Sequence, residues 1–99
     1  MEVKELSQLT VIALSGVLDI DASDQLTHAA HQAAHRELPI QIDMAHAQFI
    51  DSSAMSMFVR LVAAERRFGR DLVVTGASAG VRQAFKTAGL DRILTFNDT

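Results

Sequence analysis

Three groups of residues in this 99-residue chain have types and spacings that chemistry uses. Gly76-Ala77-Ser78-Ala79-Gly80 spells G-x-S-x-G between an apolar run and a helical pattern, where a hydrolase would carry its nucleophilic serine. Such an enzyme takes its acid and then its histidine from positions after the serine. Here His28, His31, His35 and His46 all precede Ser78, so the triad cannot be assembled in that order. Gly76 is expected instead to turn the chain out of a strand, and Ser78 to cap the next helix. His28, His31 and His35 stand at i, i+3 and i+7 and so share a helix face, a spacing that could hold a metal or sense pH. That face lies opposite an alanine and leucine stripe, and no carboxylate accompanies the trio as a fourth ligand. It reads as a solvated face, with neither a metal nor a cofactor expected. His46, placed in a loop after a strand, carries no signal of its own.

The third group is the segment Phe49-Ile50-Asp51-Ser52-Ser53-Ala54-Met55, which follows a buried strand and opens a helix. In the plain reading Asp51 or Ser52 caps that helix, its oxygen accepting a backbone N–H while the acid complements the positive helix end. The C-terminal mouth of a parallel strand is also where α/β folds place function, and small hydroxyls there are open to modification. Two adjacent hydroxyls at a helix start form a candidate switch. Further along the same helix Arg60 and Arg67 share a face with Ser56 and Ala63, a polar stripe that reads as a solvated side or a partner surface.

The elements that must position these groups follow from periodicity. Residues 9–14 (LTVIAL), preceded by 3–6, form one or two opening strands that end near Gly16. Ala22, Leu26, Ala29, Ala30 and Ala33 recur at helical spacing, which predicts a helix over 21–36 with Asp21 as N-cap, stopped by Pro39. Residues 40–44 (IQIDM) form a strand. Met55, Met57, Phe58, Leu61 and Val62 give a second helix over 53–68 that ends at Gly69. Residues 72–75 (LVVT) read as a strand buried on both faces. Val81, Ala84, Phe85 and Ala88 mark a third helix closed by Gly89, and a last strand falls near 93–96. Strand, helix and strand with short connections make βαβ units, so the central strands are expected to be parallel with right-handed crossovers, and the opening strands make the sheet mixed.

Composition excludes several classes. The absence of Cys removes disulfides, thiolate metal sites and cysteine nucleophiles, and fits a reducing cytoplasm. Nine Lys and Arg against twelve Asp and Glu give a formal charge of −3, which offers no footprint for nucleic acid or an anionic membrane. No Trp and no Tyr are present to stack on bases or sugars. No apolar run nears the roughly 18 residues of a membrane span, and the first residues lack a signal-peptide pattern, so a soluble protein is expected.

Taken in order, Gly16-Val17-Leu18-Asp19, the IDSSAM segment at 50–55, Gly69 followed by LVVT and Gly76, and Ala88-Gly89-Leu90 resemble a STAS domain of the anti-sigma-factor-antagonist type. The resemblance spans nearly the whole chain and makes 1–99 a single STAS domain. It implies an α/β fold, a mixed sheet of about four to five strands covered by three or four helices, and a partner-switching role as a binding module without enzymatic activity, one that when unphosphorylated binds its anti-sigma factor and releases that factor's target. In that family the Ser directly after the Asp is phosphorylated by a cognate serine kinase that is also the anti-sigma factor, and a metal-dependent phosphatase reverses the modification. The matching position is Ser52. Asp51 adjoins it, Asp19 lies in the G-x-L-D turn beside the same surface, and Ser53 and Ser56 continue the exposed side. Ala54 stands where many members carry Gly, a change that favours a helix by about 1 kcal/mol. STAS domains also serve in lipid-transport complexes, and the alternative the resemblance leaves is such a subunit, using the same surface without phosphorylation.

Overall fold

Four strands of this protein run parallel in chain order, and that ordering decides where every helix goes. The computed structural model describes residues 2–34 and 39–97. In it β1 (Glu2–Glu5), β2 (Thr10–Leu18), α1 (Ile20–Ala34), β3 (Ile40–Ile50), α2 (Ser52–Arg66), β4 (Val73–Thr75), α3 (Ala79–Thr87), a short 3-10 turn (Leu90–Arg92) and β5 (Thr95–Asn97) follow one another. The sheet order is β1-β2-β3-β4-β5, with β1 antiparallel to β2 and the other pairs parallel. Each helix therefore connects neighbouring parallel strands and steps in the same direction. Right-handed crossovers then put all three helices on one face of the sheet.

The strands record that one-sidedness residue by residue. Thr10, Ile12, Leu14 and Leu18 of β2 are buried and so are Ile40, Ile42, Met44, Ala47 and Ile50 of β3, whereas Val11, Ala13, Gln41 and Asp43 between them are only half-buried. Val73 is half-buried as well, which corrects the expectation that the 72–75 strand is covered on both faces. A continuous apolar run in a short strand beside an open face looks the same in sequence as one inside a sandwich of helices. Under the helices the core closes around Phe58 of α2 and Phe85 of α3, edge to face with centroids 5.0 Å apart.

Several boundaries move. The helix expected from residue 21 begins at Ile20, its cap is Asp19 and not Asp21, and the expected end at residues 35 and 36 lies outside the described residues. The strand expected over 40–44 continues to Ile50, so His46 is a strand residue and not a loop residue. The opening strand likewise runs on through Gly16 to Leu18. These extensions carry register steps between Ala13 and Ser15 and between Gly16 and Val17, and Gly16 sits at φ 72°, a backbone that glycine adopts without a Cβ penalty. The steps shift which β3 residues face the core and bring Leu18 opposite Ile50, so that the two strands finish level. At the β4 exit Gly76 has φ 69°, and a Cβ there would lie 3.0 Å from Ala45, so the expected turn is also a close approach. Ser78 caps α3 as expected, its Oγ accepting the Val81 N–H at 3.2 Å.

At the opposite end of the sheet a buried carboxylate ties α2 to the start of β3. Glu65, 3% exposed, accepts from the Ile40 N–H at 3.3 Å and from Arg70 Nε at 3.1 Å and Nη2 at 3.3 Å. Truncating it strands a buried N–H and removes the carboxylate that Arg70 Nε and Nη2 donate to, so Glu65→Ala is expected to cost about 3 kcal/mol in denaturant unfolding. A loss under about 1 kcal/mol would show that this tie does not hold the two elements together.

Candidate functional site: two capped helix starts at one strand mouth

Leu18 and Ile50 are partners in the parallel ladder, so the residues that follow them, Asp19 and Asp51, leave the sheet side by side. A backbone hydrogen bond from Asp51 N–H to the Leu18 carbonyl, 3.0 Å, locks the two exits together. Each aspartate then does the same job. Asp19 Oδ1 accepts the N–H groups of Asp21 and Ala22 at 3.1 and 3.2 Å, capping α1. Asp51 Oδ1 accepts the Ala54 N–H at 3.1 Å, capping α2 from an extended backbone (φ −96°, ψ 179°). Of the two caps offered by the sequence, Asp51 is the one used. Both satisfy first-turn donors and set a negative charge against the positive end of a helix dipole.

The cap separates the two adjacent serines. Ser53 Oγ donates to Asp51 Oδ1 at 2.7 Å, and its half-buried side chain is held against the cap. That bond, followed by the Ala54 N–H, holds the Asp51 carboxyl below the usual carboxylate range. Ser52, the first residue of α2, is exposed, and its hydroxyl makes no hydrogen bond to the described residues, while its carbonyl accepts from Ser56 Oγ at 3.1 Å. Ser56 is exposed too, but its hydroxyl is turned back onto its own helix. Asp19, Asp51, Ser52 and Ser53 thus meet at one mouth, and Ser56 stands one turn along α2. Ala54 is buried, 2% exposed, with its methyl in the core, which explains how alanine fits here.

Other residues join the mouth without having been singled out in the sequence. Ser23 on α1 donates to the Ser53 carbonyl at a long 3.4 Å, linking the two helix starts. Val17, Ile20 and Phe49 are 56, 65 and 58% exposed, and Val17 pairs with Phe49 in the ladder, on the sheet face that the helices leave open. The signal for that pair is parity. Leu18 and Ile50 are core residues, so the residues just before them point the other way.

The remaining candidates lie elsewhere. His28 and His31 are exposed on α1, with His31 at the rim of a groove between α1 and α2 that Thr27, Met57 and Arg60 also line, and His35 lies outside the described residues. Among the described residues no three His, Asp or Glu gather as a metal would require. Arg60 on α2 and Arg67, which caps its C-terminal end, are exposed, as are Ser56 and Ala63.

Comparison with known proteins agrees with this architecture. No curated protein sequence matches the chain significantly. Among solved structures, the anti-sigma factor antagonist SpoIIAA in its unphosphorylated form has 18% identity and a TM-score of 0.79, over 99% of this chain and 87% of that one. An anti-sigma factor antagonist from Mycobacterium paratuberculosis has 19% identity and a TM-score of 0.82, over 99% and 84%. A sulfate transporter family protein from Wolinella succinogenes shares the fold at 18% identity and a TM-score of 0.78, over 91% and 77%. The family model described as "Mlab, STAS domain" matches residues 1–95, and the chain therefore belongs to the STAS-domain family.

Proposed function

We propose that this protein is a cytoplasmic binding module of the anti-sigma-factor-antagonist type, one that performs no catalysis itself and is switched by phosphorylation at Ser52. Unphosphorylated, it binds a serine kinase that is also an anti-sigma factor and so frees that factor's target. Phosphorylation by the kinase ends the binding, and a metal-dependent phosphatase restores it. The observation that carries this reading is the division of labour between the serines: Ser53 is committed to the Asp51 cap, and Ser52 beside it is exposed with a free hydroxyl. Asp19, Asp51, Ser53 and Ser56 frame the surface the kinase would cover. No described helix is long and apolar enough to cross a membrane.

Phosphate on Ser52 adds about 1.5 to 2 negative charges at a helix N-terminus, where the macrodipole attracts them and the Asp51 carboxylate repels them. At an exposed site salt screens both effects over a Debye length of about 8 Å, and they nearly cancel. The fold is left alone. A partner closing over Ser52 has to strip water from a dianion beside Asp51, which costs several kcal/mol without a cation placed to meet it.

One observation favours a second reading. The matching family model is described as Mlab, which fits the alternative of a module that docks through the same mouth into a lipid-transport complex with Ser52 unmodified.

Reaction with the cognate kinase, followed by mass-spectrometric mapping, is expected to put phosphate on Ser52 and none on Ser53 or Ser78, and Ser52→Ala is expected to abolish it. Phosphate on Ser53, with Ser52→Ala still a substrate, would refute the assignment. The phosphorylated protein is expected to melt within about 2 °C of the unmodified form and to bind the kinase about 100-fold more weakly. A drop of many degrees, or undiminished binding, would contradict the mechanism.

Asp51 gives a pH dependence. Because its folded carboxyl titrates below its unfolded value, the stability it contributes is present above about pH 4 and is lost as pH falls through the folded value. Asp51→Asn keeps a capping oxygen without the charge. The melting-temperature gap between the wild type and this variant is expected to be widest near neutral pH and to narrow below pH 4, and a gap independent of pH would show that the ionised cap contributes nothing.

A further inference from the structure

The open face of the sheet ends, three residues before Ser52, in a bare apolar ledge. Val17 and Phe49 are adjacent across the β2–β3 ladder, 56 and 58% exposed, and Ile20, 65% exposed, is the first residue of α1, two positions past the end of β2. Aromatic and β-branched side chains paired across a ladder form a rigid contact surface, since strand backbone and ladder hydrogen bonds already fix them.

The surroundings of the ledge are acidic. Asp19, Asp21, Asp24 and Asp51 lie on the two segments that build this mouth, and the sequence carries no Lys or Arg over 5–35 or over 37–59. Seven of the nine Lys and Arg fall at residues 60–92. A second copy of the chain presenting the same mouth would set carboxylates against carboxylates, and an anionic membrane or a nucleic acid would be repelled for the same reason.

We propose that Val17, Ile20 and Phe49 are the anchor by which the partner docks, and that the partner is a protein presenting an apolar pocket bordered by Lys or Arg side chains. This rests on the reading of Ser52 as a partner switch and gives that switch its physical basis. The anchor needs a dry contact, and Ser52 stands at its edge. The Asp51 carboxylate already stands beside Ser52, so a phosphate added there is desolvated next to a fixed negative charge unless the partner brings a further cation to meet it. Hot spots of this kind are small apolar clusters inside a charged rim.

The test uses the purified serine-kinase anti-sigma factor encoded nearest this gene, with binding measured by calorimetry and Ser52 phosphorylation measured in parallel. Phe49→Thr and Ile20→Ser replace exposed side chains, and unchanged melting curves verify that each variant folds. Each is expected to weaken binding about 30-fold. Asp24→Lys is expected to weaken it severalfold at low salt and much less at high salt. If the kinase binds the wild type and phosphorylates Ser52, yet both apolar variants bind equally well, the anchor is overturned and the switch stands. If the kinase neither binds nor phosphorylates the wild type, the switch reading itself fails. A wild-type dimer in sedimentation that Phe49→Thr dissolves would also overturn the proposal, because the ledge would then belong to a second copy.

Discussion

The level finish of β2 and β3 is the constraint from which the rest of this molecule follows. Leu18 faces Ile50 in the ladder, and the Asp51 N–H reaches back 3.0 Å to the Leu18 carbonyl. Two strands of unequal length reach that alignment only through register steps, one of them at Gly16. Once the ends are level, two helices have to start next to each other, and each brings a first turn of unpaired N–H groups to the same spot. One aspartate per helix satisfies them. The pairing of Asp19 and Asp51 at this mouth is thus a structural requirement of two adjacent helix starts.

That requirement also divides the hydroxyls. A serine two residues after an N-cap aspartate can reach back to it, and Ser53 does so at 2.7 Å. A serine directly after the cap is the first helical residue and points outward. Ser52 is left exposed by the same geometry that holds Ser53, so the presentation of one outward hydroxyl of the adjacent pair follows from helix capping alone. At the opposite end of the sheet, the Glu65 carboxylate with Arg70 and the Ile40 N–H anchors the other end of α2, which leaves the mouth at one end of a helix fixed at both.

Much of this was legible in the sequence, and what was not has specific causes. Helical periodicity located α1, α2 and α3, and the βαβ order implied the parallel strands. The strand ends at Ser15 to Leu18 and at Ala45 to Ile50 are not legible, because a glycine and small or polar residues look like a loop when ladder pairing with a neighbouring strand is not visible. Asp21 looked like a cap for α1 because it precedes the alanine stripe, whereas the helix starts one residue after the strand exit, and Asp19 is in place there. The exposed pair Val17 and Phe49 is hidden for the same reason, since parity carries meaning only where the strand itself is legible. Asp51, Ser52 and Ser53 were found because cap, hydroxyl and helix start are all local in sequence. Which serine is free was not, since that depends on a hydrogen bond.

Ser52 is a solvent-facing hydroxyl on a capped mouth, and the phosphorylation proposed there is expected to change the surface and not the fold. Amide chemical shifts of the domain before and after phosphorylation test this most directly. The account predicts shift changes confined to residues 17–24 and 49–57, with the amides of α3, β4 and β5 unmoved. Changes spread through β4, α3 and β5 would mean that phosphate acts by rearranging the core, and would contradict it.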